Sequence, residues 1–511
     1  MDWTRVSRTI RVLAALGVGA SLAGVPGVSQ VAPAGGGTVP QAAPDASAQR
    51  RPQGPAIGVP VVGMPFVHDP STVVRFKGKY YVFATGRGIP FSSSPDGITW
   101  TREGSVFPQI PDDVHAAVPK NNGTDVWAPD IVRIGDQFYL YYAVSSWGSF
   151  NSAVALATNP VLDPKDPAYK WTDRGVVVSS DGVEDLNAID PGVILAPDGT
   201  LWICYGSYHG TIDLVQLDLK TGLRISAKSA VTVIANRSEA SDIIFHDGFY
   251  YLFVNHDSCC KGKDSQYNIR VGRSGAIAGP YLDRHEQPLA KGGGSLFLAA
   301  HDHRIGPGHF GRVLDYDEVG DGAERFSIHY EAEMTRGGRS TLDIRPLLWT
   351  VDGWPVAGDE LVEGTYQIVS RQSENTLGAY VPTPPKPSVA GAAAAAPVAP
   401  SGPPVVHLNR YLTLDNETWT IAPVEGGFYK IVNVGTGNAI QMAADASGVG
   451  IGLAPYTAAD NQLWRLDQFP DGSYRIRNKA TGLSLSEAGG GNVIAGPFVA
   501  DDLHRWTITT P

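Results

Sequence analysis

The feature that most constrains this 511-residue chain is a motif repeated at a fixed offset. His68-Asp69-Pro70-Ser71 leads to Gly78-Lys79-Tyr80-Tyr81-Val82-Phe83, Ile189-Asp190-Pro191-Gly192 leads to Gly199-Thr200-Leu201-Trp202-Ile203-Cys204, and Ser238-Glu239-Ala240-Ser241 leads to Gly248-Phe249-Tyr250-Tyr251-Leu252-Phe253. In each, a carboxylate stands nine residues before the glycine, so the spacing assigns Asp69, Asp190 and Glu239 to one structural position in three repeats. A fourth copy, Val126-Trp127-Ala128-Pro129-Asp130-Ile131 followed by Gly135-Asp136-Gln137-Phe138-Tyr139, puts Val126 in that slot. A diverged fifth runs through Gly308-His309-Phe310 and Phe326-Ser327-Ile328-His329-Tyr330. Each repeat reads as a strand, a glycine turn, a β-branched and aromatic strand and further short strands, and a period of roughly 50–60 residues suits a four-stranded propeller blade. The expectation is an all-β chain whose residues 58–358 form a five-bladed β-propeller. Innermost strands of a propeller line a central channel, so equivalent positions converge on one rim. Acids that would elsewhere be solvated turn formers thereby become a cluster facing one cavity.

From residue 359 the period changes. Tyr366-Gln367-Ile368, Tyr429-Lys430-Ile431 and Tyr474-Arg475-Ile476 open three units that close on Trp419, Trp464 and Trp506. The last two units share a 45-residue interval, and Gln462-Leu463-Trp464 is the clearest Gln-x-Trp triplet. Three such repeats predict a β-trefoil over 359–511, interrupted by a Pro/Ala-rich insertion at 382–404 expected to be a disordered surface loop.

The N-terminus reads as a targeting segment. Arg5, Arg8 and Arg11 precede the apolar run Val12 to Ala23 and then small residues, which predicts a secretory signal peptide within 1–34 and a flexible linker over 35–57. The apolar run is shorter than the roughly 20 residues a spanning helix needs. A net charge of −11 argues against nucleic acid or an anionic membrane as partner and favours a neutral ligand such as a polysaccharide. Three cysteines provide no disulfide framework: Cys204 sits in an apolar run, and for the adjacent Cys259 and Cys260 both buried thiols and a vicinal disulfide remain open.

With these residues in place, residues 65–356 resemble glycoside hydrolase family 43, and within it the arabinanases. The resemblance is carried by His68-Asp69-Pro70-Ser71, Thr85-Gly86-Arg87-Gly88-Ile89-Pro90, Trp127-Ala128-Pro129-Asp130-Ile131, Asn187-Ala188-Ile189-Asp190-Pro191, Ser238-Glu239-Ala240, Cys259-Cys260, Gly306-Pro307-Gly308-His309 and Ile344-Arg345-Pro346-Leu347. It implies a five-bladed propeller that hydrolyses glycosidic bonds with inversion, with Asp69 as general base, Glu239 as general acid, and Asp190 orienting the acid and modulating its pKa. It also implies that His309 is associated with a central ion, calcium, which a single histidine without a carboxylate cage would leave largely water-coordinated. His68, Trp127, Asn187 and Ser207 are expected at the substrate; for Trp127 core packing stays open, because stacking and burial look alike in a sequence.

The roles make independent chemical sense. Inversion requires one carboxylate to deprotonate water and another to protonate the leaving oxygen, about 6.5–9.5 Å apart. The acid must also keep its proton well above the usual range for Glu, which burial and a neighbouring negative charge achieve.

The tail is similar to ricin-type β-trefoil lectin modules. It lacks their early aspartate, reading Ala439-Ile440-Gln441-Met442 and Leu483-Ser484-Leu485-Ser486 at those places, so glycan binding and a structural or docking role both stay open. The combined expectation is a secreted, monomeric endo-acting enzyme for α-1,5-linked L-arabinan of plant cell walls, without nucleic-acid or membrane partners. The alternatives are an exo-acting α-L-arabinofuranosidase or β-xylosidase of the same family, and a non-catalytic glycan-binding propeller-lectin.

Overall fold

Four repeats carry two adjacent aliphatic residues in their first strand: Val73-Val74, Ile131-Val132, Val193-Ile194 and Ile243-Ile244. A strand with one wet face would alternate apolar and polar residues, so these strands must be buried on both faces. The computed structural model, which describes residues 60–62, 65–183, 186–226, 231–318, 324–359, 361–380, 404–424, 428–442 and 450–511, shows how. Val73 packs in the core against Leu342 while Val74 faces Ile131 and Phe138. Val132 shares a core with Val193, Ile194 with Ile243, and Ile244 with Phe310 and Phe326. Each adjacent pair thus feeds two different hydrophobic cores. The signal peptide and linker expected over 1–57, and the insertion at 382–404 apart from its last residue, lie outside the described residues.

These cores separate five antiparallel four-stranded meanders. Meander 1 comprises Val73–Phe76, Lys79–Phe83, Pro90–Ser94 and Thr99–Ser105; meander 2, Asp125–Ile134, Gln137–Val144, Asn151–Asn159 and Thr172–Asp181. Meander 3 comprises Gly192–Leu195, Leu201–Gly206, Thr211–Leu217 and Thr232–Asn236; meander 4, Glu239–His246, Phe249–His256, Asn268–Ser274 and Ser295–Leu298. Meander 5 comprises Arg304–Asp315, Arg325–Glu333, Arg339–Trp349 and Pro355–Ala357. The first strands close a ring. Val313 of meander 5 pairs in parallel with Val73 of meander 1. Asp130 of meander 2 accepts the Thr72 N–H at 3.0 Å and the Val193 N–H at 2.9 Å, so one buried carboxylate joins three meanders.

The backbone corrects the equivalence read from spacing. A residue with positive φ recurs just before or within the first strand of each meander: Asp69 (47°), Ala128 (42°), Asp190 (55°), Ala240 (50°) and His309 (56°). A bulge follows at the matching place in meanders 2, 4 and 5, where Trp127, Glu239 and Gly308 are the last paired residues before it. Asp69 and Asp190 therefore share a position, but Glu239 stands one residue earlier, and Ala128 rather than Val126 is their counterpart. The nine-residue count misleads because both the turn and the stretch leading to it differ in length: meanders 1 and 4 share a two-residue turn, but Asp69 to Phe76 is one residue longer than Ala240 to His246. Meander 3 turns through the five residues Ala196–Thr200 between Leu195 and Leu201, whereas meander 4 turns through Asp247-Gly248 alone.

The tail forms a second β-structure with threefold internal correspondence. Trp419, Trp464 and Trp506 are fully buried, and their indole N–H groups donate to the carbonyls of Leu377, Ile440 and Leu485 at 2.8, 3.0 and 3.0 Å. Tyr366, Tyr429 and Tyr474 pair with those same tryptophans. Truncating any one to Ala would cost about 3–5 kcal/mol by leaving a cavity in the core. Asn416 and Asn461 donate to the backbone carbonyls of Ala379 and Met442, and the Gln462 side-chain amide donates to Gln441 Oε1, so the polar residues matched to lectin repeats brace the fold. Arg345 of the Ile344-Arg345-Pro346-Leu347 segment works at the boundary between the two parts: Nε donates to the Gly358 carbonyl at 2.7 Å and Nη2 meets Asp359 at 2.5 Å.

Candidate active site

Three of the five left-handed residues of the ring carry chemically active side chains: Asp69, Asp190 and His309. Positive φ aims these side chains away from the strand direction that follows, and burial elsewhere in the structure stabilises the strained backbone. Glu239 joins them from the adjacent position of meander 4.

Asp69 is held as an anion. Its Oδ2 accepts from Thr85 Oγ1 at 2.6 Å and lies 2.9 Å from His68 Nδ1; that imidazole nitrogen is off the hydrogen-bonding line, so the contact is an ion pair. Thr85 Oγ1 in turn accepts the Ala128 N–H at 2.8 Å, tying the carboxylate to meander 2. On its other side His68 Nε2 meets Glu331 Oε1 at 3.2 Å. The Asp69 N–H donates to His329 Nδ1 at 3.1 Å, which leaves His329 Nε2 facing the same Glu331 oxygen at 3.4 Å.

Burial alone would lower the His68 pKa, but Asp69 and Glu331 outweigh it and push it up to about 10. Burial would likewise raise Asp69; the charge and contact of His68, with His309 and His329, hold it well below the usual carboxylate range. Glu331 is held low in the same way, its burial outweighed by hydrogen bonds from His329 and His68.

Glu239 has the opposite environment. Burial, then the negative charges of Asp69 and Glu331, push its carboxyl up to about 7, against a lowering hydrogen bond from Tyr267 whose hydroxyl donates to Oε1 at 2.7 Å. Asp190 is also raised well above the usual range, first by burial and then by Glu239 and Asp69. Its Oδ2 accepts the N–H of Ala240, the residue after Glu239, at 3.1 Å. The orienting role expected for Asp190 thus has a contact behind it. The negative charge of Glu239 helps raise Asp190, and burial is the largest cause of both shifts. Asp69 is thus held ionised, and Glu239 keeps its proton up to about pH 7, within electrostatic reach of each other, a combination that suits simultaneous base and acid catalysis.

Gly308 explains part of this geometry. A Cβ there would fall 2.4 Å from Tyr267 Cδ1, so the glycine makes room for the ring that holds Glu239. Tyr267→Phe removes a hydrogen bond that favours the ionised acid, so the Glu239 pKa should rise and the alkaline limb of the kcat profile should move to higher pH. Initial rates across pH 5–9 check this; a limb that stays in place removes Tyr267 from control of the acid.

Of the residues expected at the substrate, His68 is in contact with Asp69 as described. Trp127 is half-buried outside the hydrophobic cores and packs edge-on at 6.2 Å against Trp147, which is 66% exposed. Asn187 and Ser207 are buried and bonded to each other: the Asn187 amide donates to Ser207 Oγ at 3.1 Å, and its carbonyl accepts from Ser152 Oγ at 2.6 Å. Both side chains are thus held in place three residues before Asp190 and at the end of the neighbouring strand. His309 is brought beside Asp69, Nδ1 to Oδ1 3.7 Å, and burial lowers its pKa to about 4, leaving a neutral ring. Cys204 is a buried thiol, whereas Cys259 and Cys260 form a vicinal disulfide.

Sequence reasoning missed Thr85, Tyr267, His329 and Glu331 as functional residues. Ser327, His329 and Glu331 alternate with apolar neighbours along one strand, a period-two signal of a polar face inside a buried sheet. Nothing comparable marks Tyr267.

The sequence profile of glycosyl hydrolases family 43 matches residues 59–355, and that of the ricin-type beta-trefoil lectin domain-like family matches residues 415–497. The chain is 35% identical over 305 residues to an extracellular exo-alpha-(1->5)-L-arabinofuranosidase of Cellvibrio japonicus, covering 57% of this chain and 85% of that one. It is 32% identical over 296 residues to an extracellular endo-alpha-(1->5)-L-arabinanase of Bacillus subtilis, covering 57% and 87%. The solved exo-1,5-alpha-L-arabinanase from a bovine ruminal metagenomic library superposes with a TM-score of 0.55 at 37% identity, covering 59% of this chain and 99% of that one.

Proposed function

This chain belongs to glycosyl hydrolases family 43, with a ricin-type β-trefoil lectin domain at its C-terminus, and we propose that it hydrolyses α-1,5-linked L-arabinan by internal cleavage with inversion. We read the five meanders as the blades of a β-propeller. It is a glycoside hydrolase. The observation that carries the mechanism is the opposed proton affinity of two carboxyls within electrostatic reach of each other, Asp69 held low and Glu239 raised to about 7.

In this reading Asp69 takes a proton from water as the water attacks the anomeric carbon. Glu239 gives its proton to the departing glycosidic oxygen, and Asp190 holds the strand entry that positions Glu239. Retention of the whole acid set argues against a non-catalytic glycan-binding propeller. The substrate class follows the names of the relatives, and their description as extracellular supports the secretion read from the N-terminal segment.

Exo action is the second reading, favoured by two of the relatives. Phe150 of meander 2 stacks on His209 of meander 3 at 3.4 Å, and the Tyr208 hydroxyl donates to the Asn255 carbonyl of meander 4 at 3.0 Å, so three meanders share one wall. Chromatography of products from debranched arabinan separates the two: a ladder of oligomers at early times supports internal cleavage, and one short product from the outset supports exo action.

A calcium ion is proposed at His309. The neutral imidazole beside Asp69 Oδ1 fits a largely hydrated ion, because among the described residues no cluster of metal-ligating side chains includes His309. Its charge would favour the ionised form of nearby carboxylates. His309→Ala should lower metal content measured by elemental analysis together with activity; unchanged metal content with full activity removes His309 from the site.

A further inference from the structure

The segment joining the second and third strands of meander 4, between His256 and Asn268, does not stay above its own meander. Its single helical turn, Gly262–Asp264, packs against the first two strands of meander 5. Tyr267, near its end, reaches Glu239. At its near end Cys260 Sγ lies within 4.8 Å of a His68 ring nitrogen from meander 1 and a Glu331 carboxylate oxygen from meander 5. The loop therefore crosses to the side of the cavity where Asp69 is held.

Three facts narrow what that sulfur does. It is bonded to the sulfur of Cys259, so it is neither a thiolate nucleophile nor a soft-metal ligand. Its neighbours His68 and Glu331 are already engaged with each other and with Asp69, so they need no partner from it. Cys260 is exposed and has φ +65°, a conformation in which a side chain is strained. What the pair offers is compact, polarisable, apolar surface held rigidly at the open edge of an otherwise charged cluster. A furanose ring has polar edges and a C–H face, and the charged groups around Asp69 have no apolar surface to receive that face.

We propose that the Cys259–Cys260 disulfide is a wall of the substrate site, against which the C–H face of the pentose presented to Asp69 packs. The proposal rests on the arabinan reading above. It concerns substrate affinity, and the charges that set the acid and base are untouched by it.

The test compares wild type with Cys259→Ala/Cys260→Ala on linear arabino-oligosaccharides, measuring kcat, KM and the pH profile. Loss of an apolar contact of about methylene size is worth roughly tenfold, so KM should rise about tenfold with kcat nearly unchanged and the alkaline limb unmoved. Cys259→Ala/Cys260→Met, which returns polarisable surface without the bond, should recover part of the lost affinity. Should the alanine variant not fold, folded wild type reduced with a phosphine and alkylated, with loss of the disulfide verified by mass spectrometry, should show the same rise in KM. A KM within twofold of wild type in folded variant or reduced enzyme overturns the wall. Oligosaccharides that wild type itself leaves uncut overturn the substrate reading, and this proposal with it.

Discussion

Glu239→Gln should lower kcat on arabinan oligosaccharides by about 10²–10⁴-fold, the usual scale of general acid catalysis, with KM little changed. The amide keeps the volume and can still meet Tyr267, so thermal unfolding should remain near wild type. Its pH profile carries the sharper signature. Glu239 acts only while protonated, and burial with nearby negative charge raises it to about 7, so wild-type kcat should fall as pH rises through about 7. In the Gln variant that limb should vanish. An aryl α-L-arabinofuranoside with an acidic phenol, whose leaving group needs no proton, should lose far less rate than the oligosaccharides. Equal losses on both substrates would take the acid role away from Glu239.

Asp69→Asn should be at least as damaging, again about 10²–10⁴-fold in kcat, because an amide cannot accept the water's proton. Here a good leaving group offers no relief, since the missing step is activation of water. Wild type should keep its activity on the acid side to well below the usual carboxylate range, where Asp69 at last protonates; its low pKa is a product of the His68 ion pair and the nearby His309 and His329. Small anionic nucleophiles such as azide should restore part of the Asn variant's turnover if the lost function is general base catalysis. Rates for Asp69→Asn within tenfold of wild type would remove it from that role.

Much of this site was legible because the repeats encode it. Asp69, Asp190, Glu239 and His309 all lie just before or within a first strand, and the ring topology makes residues more than a hundred positions apart neighbours. The exact register was not legible, since the residue count to the hairpin glycine mixes strand length with turn length; the meander 3 turn of five residues and the meander 4 turn of two gave one count for two different positions. The adjacent aliphatic pairs such as Val73-Val74 do announce strands buried on both faces. Tyr267 and Thr85 were hidden for a different reason. Both are ordinary strand-and-loop residues whose meaning comes from hydrogen bonds to residues distant in sequence, Tyr267 to Glu239 within meander 4 and Thr85 to Asp69 and the Ala128 N–H, and sequence alone does not locate such partners. Proximity to a catalytic acid in sequence likewise does not reveal that the Asn187 and Ser207 side chains are hydrogen-bonded to each other.

The most direct test of the account is the anomeric configuration of the first product. Proton NMR of wild-type enzyme acting on α-linked linear arabinan should show the β-anomer appearing first and mutarotating afterwards, because a single displacement by a water activated at Asp69 inverts the anomeric carbon. Initial appearance of the α-anomer would require a covalent glycosyl-enzyme intermediate and would contradict the assignment of Asp69 as base and Glu239 as acid.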